Sequence, residues 1–230
     1  MIPLRDNVPS KRFPVITWIL ILINVLIFIY TISLRPETQE QLVFTFGMVP
    51  ARLNLGELQD LIQQPGQMIS LLTSQFLHAN WFHLISNMWI LFIFGDNVED
   101  LMGKMRFILF YLLSGVAANF AHALALPNSQ IPAVGASGAI AGVLGAYFLL
   151  FPHARVQTVL FVFIIPWFIQ IPAVLYLGVW FILQISQGLI EVNQNVGGVA
   201  WWAHVGGFVF GLAAVHFFVR RNRLSSQYGR

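Results

Sequence analysis

The order of apolar and polar positions divides the chain into long apolar segments separated by short polar connections. A segment of about 20 apolar residues can cross the roughly 30 Å hydrocarbon core of a bilayer as a helix. Segment length and flanking polarity therefore predict an all-α, polytopic bundle of six membrane spans. The predicted spans are residues 14–34, 76–94, 107–126, 137–151, 167–185 and 199–219.

The fourth segment stands apart because it is short and begins with a serine, Ser137. A helix from Ser137 to Phe151 at about 1.5 Å per residue is only about 22 Å long, so one end must start inside the membrane. The upstream residues 128–132 are poor lipid-facing residues. Non-helical backbone at that depth is tolerated only against protein or a hydrated cavity. We therefore expect Ser137 at a helix start, beneath the membrane surface and beside water.

The composition supports a membrane protein and excludes several other classes. Of the 230 residues 57% are hydrophobic and only 9% are charged, with a mean hydropathy of +0.74, whereas soluble domains carry about 25% charged residues. The chain has no cysteine, which excludes disulfides and cysteine-ligated metals. The net charge of +3 does not indicate nucleic-acid binding, because the charges lie between apolar segments.

The positive charges indicate the orientation of the spans. With both termini in the cytoplasm, only Arg35 and Arg52 of the 12 lysines and arginines lie outside, as the positive-inside rule requires. The expected organisation is a cytoplasmic segment (1–13), a six-helix membrane domain (14–219) and a basic cytoplasmic tail (220–230), as a multi-pass protein of the cell membrane. The external connection from Arg35 to Gln75 is expected to form short interfacial helices.

Four polar side chains are predicted at one depth on three different spans. His83 and Asn87 are four residues apart and share a helix face in span two, Ser137 starts span four, and His204 lies near the start of span six. These spans run from outside to inside, so all four residues fall in the outer half of the bilayer. Polar groups within a membrane are costly unless they face a shared polar site.

Small residues follow Ser137 and His204 at helical spacing and favour close helix packing. They are Gly138, Ala141, Gly142 and Gly145 in span four, and Gly207 and Gly211 in span six. Taken alone, these glycines indicate packing and a lone histidine is as often structural as catalytic. His122, His153 and His216 are interpreted as structural.

The four polar residues together favour a serine nucleophile. His204 can remove the proton of Ser137, and the backbone N–H of Ser137, with His83 and Asn87, can stabilise an oxyanion. No Asp or Glu lies between Leu101 and Ile190, so the expected site is a serine–histidine dyad without a cofactor or a metal.

The motifs HAN-WFHLISN, FGDNVED, GASG and AHVGGFVFG, in this order, resemble the rhomboid intramembrane serine proteases of bacterial type, over all six spans. The resemblance implies Ser137 as nucleophile, His204 as base, and His83 and Asn87 as oxyanion support. It also implies substrates that are membrane helices, expected here to be single-span proteins of the bilayer. His78 and Gly135 are secondary candidates for the site. Two positions depart from the family pattern: Ala141 replaces an aromatic that packs on the histidine, and Arg52 follows alanine instead of tryptophan.

Three alternatives compete with the protease. An inactive rhomboid-like binder of membrane proteins would not need both Ser137 and His204. A small-solute transporter is favoured by paired membrane carboxylates or an internal repeat, and neither is evident. A metalloprotease is disfavoured because His78 and His83 are five residues apart and no H-E-x-x-H motif is present. The oligomeric state stays open.

Overall fold

The computed structural model describes residues 1–53, 65–194 and 198–220, and this part of the chain is mostly helical. Two short 3-10 turns, Pro50–Arg52 and Ser74–Phe76, lie between longer helices. The helices are α1 (Val15–Ser33), α2 (Pro36–Phe46), α3 (Pro65–Thr73), α4 (Trp81–Met102), α5 (Lys104–Ala125), α6 (Ser137–Leu150), α7 (Ala173–Gln194) and α8 (Trp201–Phe218).

Four helices of the described part are long and apolar enough to cross a membrane. They are α1, α5, α7 (over Ala173–Val192) and α8. The apolar helix α6 is shorter, with 14 residues, and α4 has 22 residues but carries His83 and Asn87. The chain is therefore a helical, multi-pass membrane protein, and the number of six spans stays a prediction.

The connection between α1 and α4 contains the short helices α2 and α3. Their position at a membrane interface stays a prediction, as do the three domain bounds. Residues 54–64 of this connection, including Leu55, Leu58, Leu61 and Ile62, lie outside the described residues. So does the basic tail beyond Arg220.

A three-stranded antiparallel sheet corrects the all-α prediction. Its strands are β1 (Ile2–Asp6), β2 (Arg155–Val162) and β3 (Ile165–Pro172), in the order β1-β2-β3. The predicted start of the fifth span at residue 167 is therefore wrong, because the helix begins at Ala173. Strands β2 and β3 were not predicted because residues 156–172 are uncharged and almost entirely apolar. Such a segment shows neither helical nor strand periodicity. Pro166 and Pro172 are compatible with β3 because it is an edge strand.

Polar contacts fix the sheet to helices α4 and α6. Tyr147 of α6 donates a hydrogen bond to Asp6 at 2.5 Å, and Asn97 of α4 donates to the same carboxylate oxygen at 2.8 Å. Burial raises the pKa of the Asp6 carboxyl. Trp89 of α4 donates to the carbonyl oxygen of Pro3 at 2.7 Å. These contacts set the position of β1, and with it the root of the β2–β3 hairpin.

A second carboxylate at this end of the molecule, that of Glu99, caps the N-terminus of α1. Glu99 accepts hydrogen bonds from the backbone N–H groups of Ile16 and Thr17, at 3.0 and 2.8 Å, and from the Thr17 hydroxyl at 2.9 Å. A carboxylate in this position satisfies free N–H groups at a helix N-terminus. Glu99 therefore has a structural role far from the predicted site.

Helix α6 lies at the centre of the bundle. Every residue from Gly138 to Tyr147 is buried, and the helix packs most extensively against α8, with α5 and α4 on its other sides. A helix enclosed on all sides can carry glycines that would destabilise an exposed helix. The start of α6, at Ser137, is thereby held between α4, α5 and α8.

Candidate active site

Helix α6 begins at Ser137, as predicted, and the segment before it is held by backbone contacts. The N–H of Gly135 donates to the carbonyl oxygen of Ser74 at 2.9 Å. Met48 and Ala133 exchange two backbone hydrogen bonds, of 3.0 and 2.7 Å. Because the first N–H groups of a helix have no intrahelical acceptor, the start of α6 presents free donors beside the half-buried Ser137.

His204 lies in the first turn of α8 and is bound by a residue that the sequence analysis did not identify. The Nδ1 atom of His204 lies 2.7 Å from the side-chain oxygen of Gln184 on α7. The amide nitrogen of Gln184 donates to the carbonyl oxygen of Trp180 at 3.2 Å. The amide oxygen of Gln184 can only accept, so Nδ1 carries the hydrogen. In the neutral ring, Nε2 is then left unprotonated and able to accept a proton.

Two tryptophans flank the imidazole of His204. The ring of Trp180 lies with its centroid 6.0 Å away at an angle of 32°, and that of Trp201 presents an edge at 6.1 Å and 88°. These rings come from α7 and α8. Position 141, where the family pattern has an aromatic residue, is the buried Ala141 here, so the aromatic contacts of His204 come from these two tryptophans.

His83 and Asn87 of α4 face the backbone just before Ser137. Gly135 has a φ of +127°, and a Cβ built on it would come within 2.6 Å of Nε2 of His83 and 3.6 Å of Nδ2 of Asn87. That amide nitrogen is buried and has no hydrogen-bond partner among the described residues. A buried donor without an acceptor is uncommon in a folded protein. Glycine at position 135 thus lets the chain pass against two polar side chains.

His78 lies beside His83, with ring centroids 5.1 Å apart in an edge-to-face arrangement. His78 is buried, and within the described part of the chain neither ring nitrogen has a hydrogen bond of standard geometry. The described residues contain no group of three or more His, Cys, Asp or Glu that could hold a metal ion.

Glycines allow α6 and α8 to touch along their backbones. A Cβ on Gly207 would overlap the carbonyl oxygen of Gly138, and a Cβ on Gly211 would overlap that of Gly142. A Cβ on Gly145 would overlap the carbonyl oxygen of Phe208. Small residues in these positions permit the close approach that stabilises helix pairs in a membrane.

Ser137 and the start of α8 line one narrow cavity. Its walls include Gly135, Ser137, Ala200, Ala203 and Asn119. Asn119 is fixed by hydrogen bonds from its amide nitrogen to the Ser74 hydroxyl at 2.9 Å and to the Leu71 carbonyl oxygen at 2.8 Å. Among the hydrogen bonds of the described residues, none joins Ser137 to His204, and the His204 side chain pairs with Gln184 instead.

Sequence reasoning missed Gln184, Ser74 and Asn119. A signal for Gln184 was present, because an amide inside an apolar span is costly unless it has a partner. Its partner, however, lies 20 residues away on another helix, and nothing in the local spacing indicates that pairing. Ser74 and Asn119 come from a turn and from α5, and only the fold brings them together.

Comparison with known proteins identifies relatives of this chain. A model of the Rhomboid domain matches residues 65–221. The chain is 31% identical over 150 residues to "Rhomboid protein 1, mitochondrial" of Saccharomyces cerevisiae, covering 63% of this chain and 40% of the yeast protein. It is 32% identical over 140 residues to "Putative rhomboid protease YdcA" of Bacillus subtilis, covering 61% of this chain and 64% of that protein.

A shorter stretch is more similar to a plant protein. The chain is 48% identical over 71 residues to "Rhomboid-like protein 11, chloroplastic" of Arabidopsis thaliana, covering 31% of this chain and 25% of the relative. The chain therefore spans less than two thirds of the length of each of these three relatives.

Proposed function

The chain belongs to the rhomboid family, and we propose that it is an intramembrane serine protease that cuts membrane helices with Ser137 as nucleophile and His204 as base. Family membership supports a protease-like function on membrane substrates. The active dyad, its mechanism and the use of single-span substrates are parts of the proposal.

The contact between the starts of α6 and α8 carries this proposal. A Cβ built on Gly138 would lie 3.8 Å from the Cβ of Ala203. Gly138 directly follows Ser137, and Ala203 directly precedes His204. The contact therefore brings together the two helix turns that carry the Ser137 hydroxyl and the His204 imidazole, which supports the proposal of a dyad. Catalytic hydrogen bonds are often long or unformed without substrate, so the missing Ser137–His204 bond is compatible with a dyad.

The proposed reaction proceeds through an acyl-enzyme. The Oγ of Ser137 attacks the carbonyl carbon of the scissile peptide bond while Nε2 of His204 takes the hydroxyl proton. The C–N bond then breaks, and His204 returns that proton to the leaving amine. Water, activated by the same imidazole, attacks the ester and restores the Ser137 hydroxyl. The hydrogen bond from Nδ1 to Gln184 keeps the ring in the tautomer that this sequence requires.

Donors for the developing oxyanion surround the start of α6. The backbone N–H of Ser137, the amide of Asn87 and the ring of His83 are the proposed donors. The partnerless Nδ2 of Asn87 supports this role, because an oxyanion would supply its missing acceptor. One such donor is worth about 10²–10³ in rate.

The proposed location is the cell membrane, with both termini in the cytoplasm and cleavage near the outer face. An inactive rhomboid-like binder is the first alternative, and a small-solute transporter is the second. The retained hydroxyl and imidazole favour the protease over both.

A fluorophosphonate probe tests the proposal directly, because it reacts only with a serine that is activated as a nucleophile. The purified chain in liposomes is expected to be labelled, and labelling at Ser137 is located by mass spectrometry of the peptide. The Ser137→Ala variant is expected to give no label. An unlabelled wild-type protein of native size and thermal stability would favour the inactive binder.

Replacing Gln184 by leucine is expected to lower kcat by about 10- to 100-fold with little change in KM, by analogy with the loss found when a group that orients a metal-binding histidine is removed. The amide holds the tautomer and orientation of His204, so its loss affects the chemical step more than substrate binding. The measurement is cleavage of a labelled single-span substrate across a range of pH.

The Gln184→Glu variant separates positioning from a merely structural role. Glutamate keeps an acceptor for Nδ1–H, so activity is expected to recover. A carboxylate also favours the protonated imidazole, so the acidic limb of the pH–rate profile is expected to move to higher pH. Equal loss in both variants, with an unchanged pH profile, would show that Gln184 only supports packing.

A further inference from the structure

The hairpin of β2 and β3 ends in an exposed apolar tip, defined here as residues 161–168 (FVFIIPWF). Phe163 and Ile164 at the turn are 93% and 91% exposed, and Trp167 and Phe168 next to it are 58% and 62% exposed. No charged residue occurs from Val156 to Ile190. An apolar patch of this kind on an edge strand is an aggregation hazard in water. We therefore expect the tip to be covered by lipid or by protein.

The backbone of the turn is an unusual one for these residues. Val162 pairs with Ile165, so Phe163 and Ile164 form a two-residue turn, and Phe163 has a φ of +56°. Such turns usually place glycine or asparagine at positions of positive φ, and a bulky side chain there is strained. The chain therefore presents an aromatic side chain at the tip at the expense of local backbone stability. Strain of this kind points to a role for the side chain that requires it.

The hairpin root joins this tip to the membrane helices. Strand β3 runs directly into α7, whose residues Ala173–Val192 are apolar enough to span a bilayer, and the N–H of Ala173 donates to Ala154 at 2.8 Å. The root carries two exposed cations, Arg5 and Arg155, and Arg5 donates to Gln157 at 2.7 Å. The root, together with the paired strand β1, is thus polar and carries two exposed cations beside the half-buried Asp6, whereas the tip is aromatic and aliphatic.

The free edge of β3 limits how deep the hairpin can lie. An open sheet edge in the hydrocarbon core would leave backbone groups without partners, which a bilayer does not tolerate. The headgroup region contains water that can satisfy them. Pro166 and Pro172 each remove an N–H from β3, so fewer backbone groups at this edge need a hydrogen-bond partner. The missing N–H groups also disfavour pairing with a strand of a second chain.

We propose that the hairpin tip inserts into the lipid leaflet on the side of the N-terminus, as an interfacial anchor that does not cross the membrane. The aromatic and aliphatic side chains of residues 161–168 enter the boundary between headgroups and acyl chains, where aromatic residues are favoured. Arg5 and Arg155 at the root lie among lipid phosphates, which attract cations. This anchor depends on the chain lying in a membrane and is independent of the proposed catalytic dyad.

Site-directed spin labelling tests the anchor, because the chain has no cysteine of its own. Phe163→Cys and Ile164→Cys place a nitroxide at the tip, and Gln170→Cys places one at an exposed polar position of the same hairpin. Each labelled protein is studied in vesicles of phosphatidylcholine and phosphatidylglycerol. Collision of the nitroxide with oxygen, which partitions into lipid, is compared with collision with a water-soluble nickel chelate.

The tip labels are expected to lie about 5–10 Å inside the headgroup boundary, as interfacial segments do, and the label at position 170 is expected to stay accessible to nickel. A tip label that nickel reaches as readily as position 170 would overturn the proposal. So would a tip label shielded from both reagents, which would indicate cover by a second copy or another protein segment. Thermal unfolding of each labelled variant close to that of the unlabelled chain shows that the substitutions leave the overall fold intact.

Discussion

Changing Ser137 to alanine is expected to lower the rate of substrate cleavage by up to about 10⁶-fold, the order found when the catalytic serine of a soluble serine protease is removed. Alanine has no Oγ, so neither the attack on the peptide carbonyl nor the acyl-enzyme can form. His204→Ala is expected to cause a loss of the same order, and the double variant should be no worse than either single one, because the two groups act as a unit. The assay is cleavage of a labelled single-span protein in liposomes.

Matched controls come from the same membrane helices. Ser114 is buried on α5 beside Gly142 and donates to the carbonyl oxygen of Phe110 at 2.7 Å, so Ser114→Ala removes a hydroxyl without touching the site. His216 is exposed on α8, so His216→Ala removes an imidazole from the same helix as His204. Both controls are expected to cleave at close to the wild-type rate. Cleavage by Ser137→Ala at that rate would refute the mechanism.

The second large effect is expected from Gly207→Ala, which should destabilise the fold by roughly 1–3 kcal/mol or more, the usual cost of overpacking. A Cβ at position 207 would overlap the carbonyl oxygen of Gly138. That atom belongs to the backbone of α6 and cannot move aside by rotation of a side chain, so α6 and α8 must separate. Because Gly138 follows Ser137, cleavage should fall with stability.

Gly178→Ala is the matched control for this prediction. Gly178 lies within the membrane-capable helix α7, and a Cβ there would meet its nearest neighbour, Phe148, at an ordinary 3.9 Å. This variant should be as stable as the wild type or slightly more stable, because alanine favours a helix over glycine. Unfolding in mixed micelles, followed by tryptophan fluorescence, measures both variants. Equal stability of Gly207→Ala and Gly178→Ala would contradict the close contact of α6 with α8.

The sequence predicted the residues of the candidate site better than the contacts that position their side chains. Ser137 starts a helix as predicted, because the apolar segment is short and begins at this serine, so few other positions could start the helix. The support of His204 could not be predicted, since the pairing of Gln184 with Nδ1 depends on the rotation of α7 against α8. Likewise, the packing of His83 against Gly135 follows from a φ of +127° in a segment without regular structure.

The fold was predictable where apolar segments end in charged or polar residues, and it was not predictable elsewhere. Helices α1 and α5 end close to their predicted bounds, because prolines and charges flank them. Between Val156 and Ile190 there is no charge, so hydrophobicity alone could not separate β2 and β3 from α7. The two prolines of β3 marked an interruption, but the pairing of β1 with β2, across about 150 residues of sequence, is a property of the tertiary structure alone.

The amide of Gln184 has an electrical consequence for a site within a bilayer. Moving one full charge across a membrane changes its energy by about 2.3 kcal/mol per 100 mV of transmembrane potential. A charged aspartate in the place of Gln184 would therefore respond to the potential. A carboxamide carries only a dipole, and the chain has no acid from Leu101 to Ile190. Depolarising the membrane should therefore leave the orientation of the neutral His204 ring unchanged.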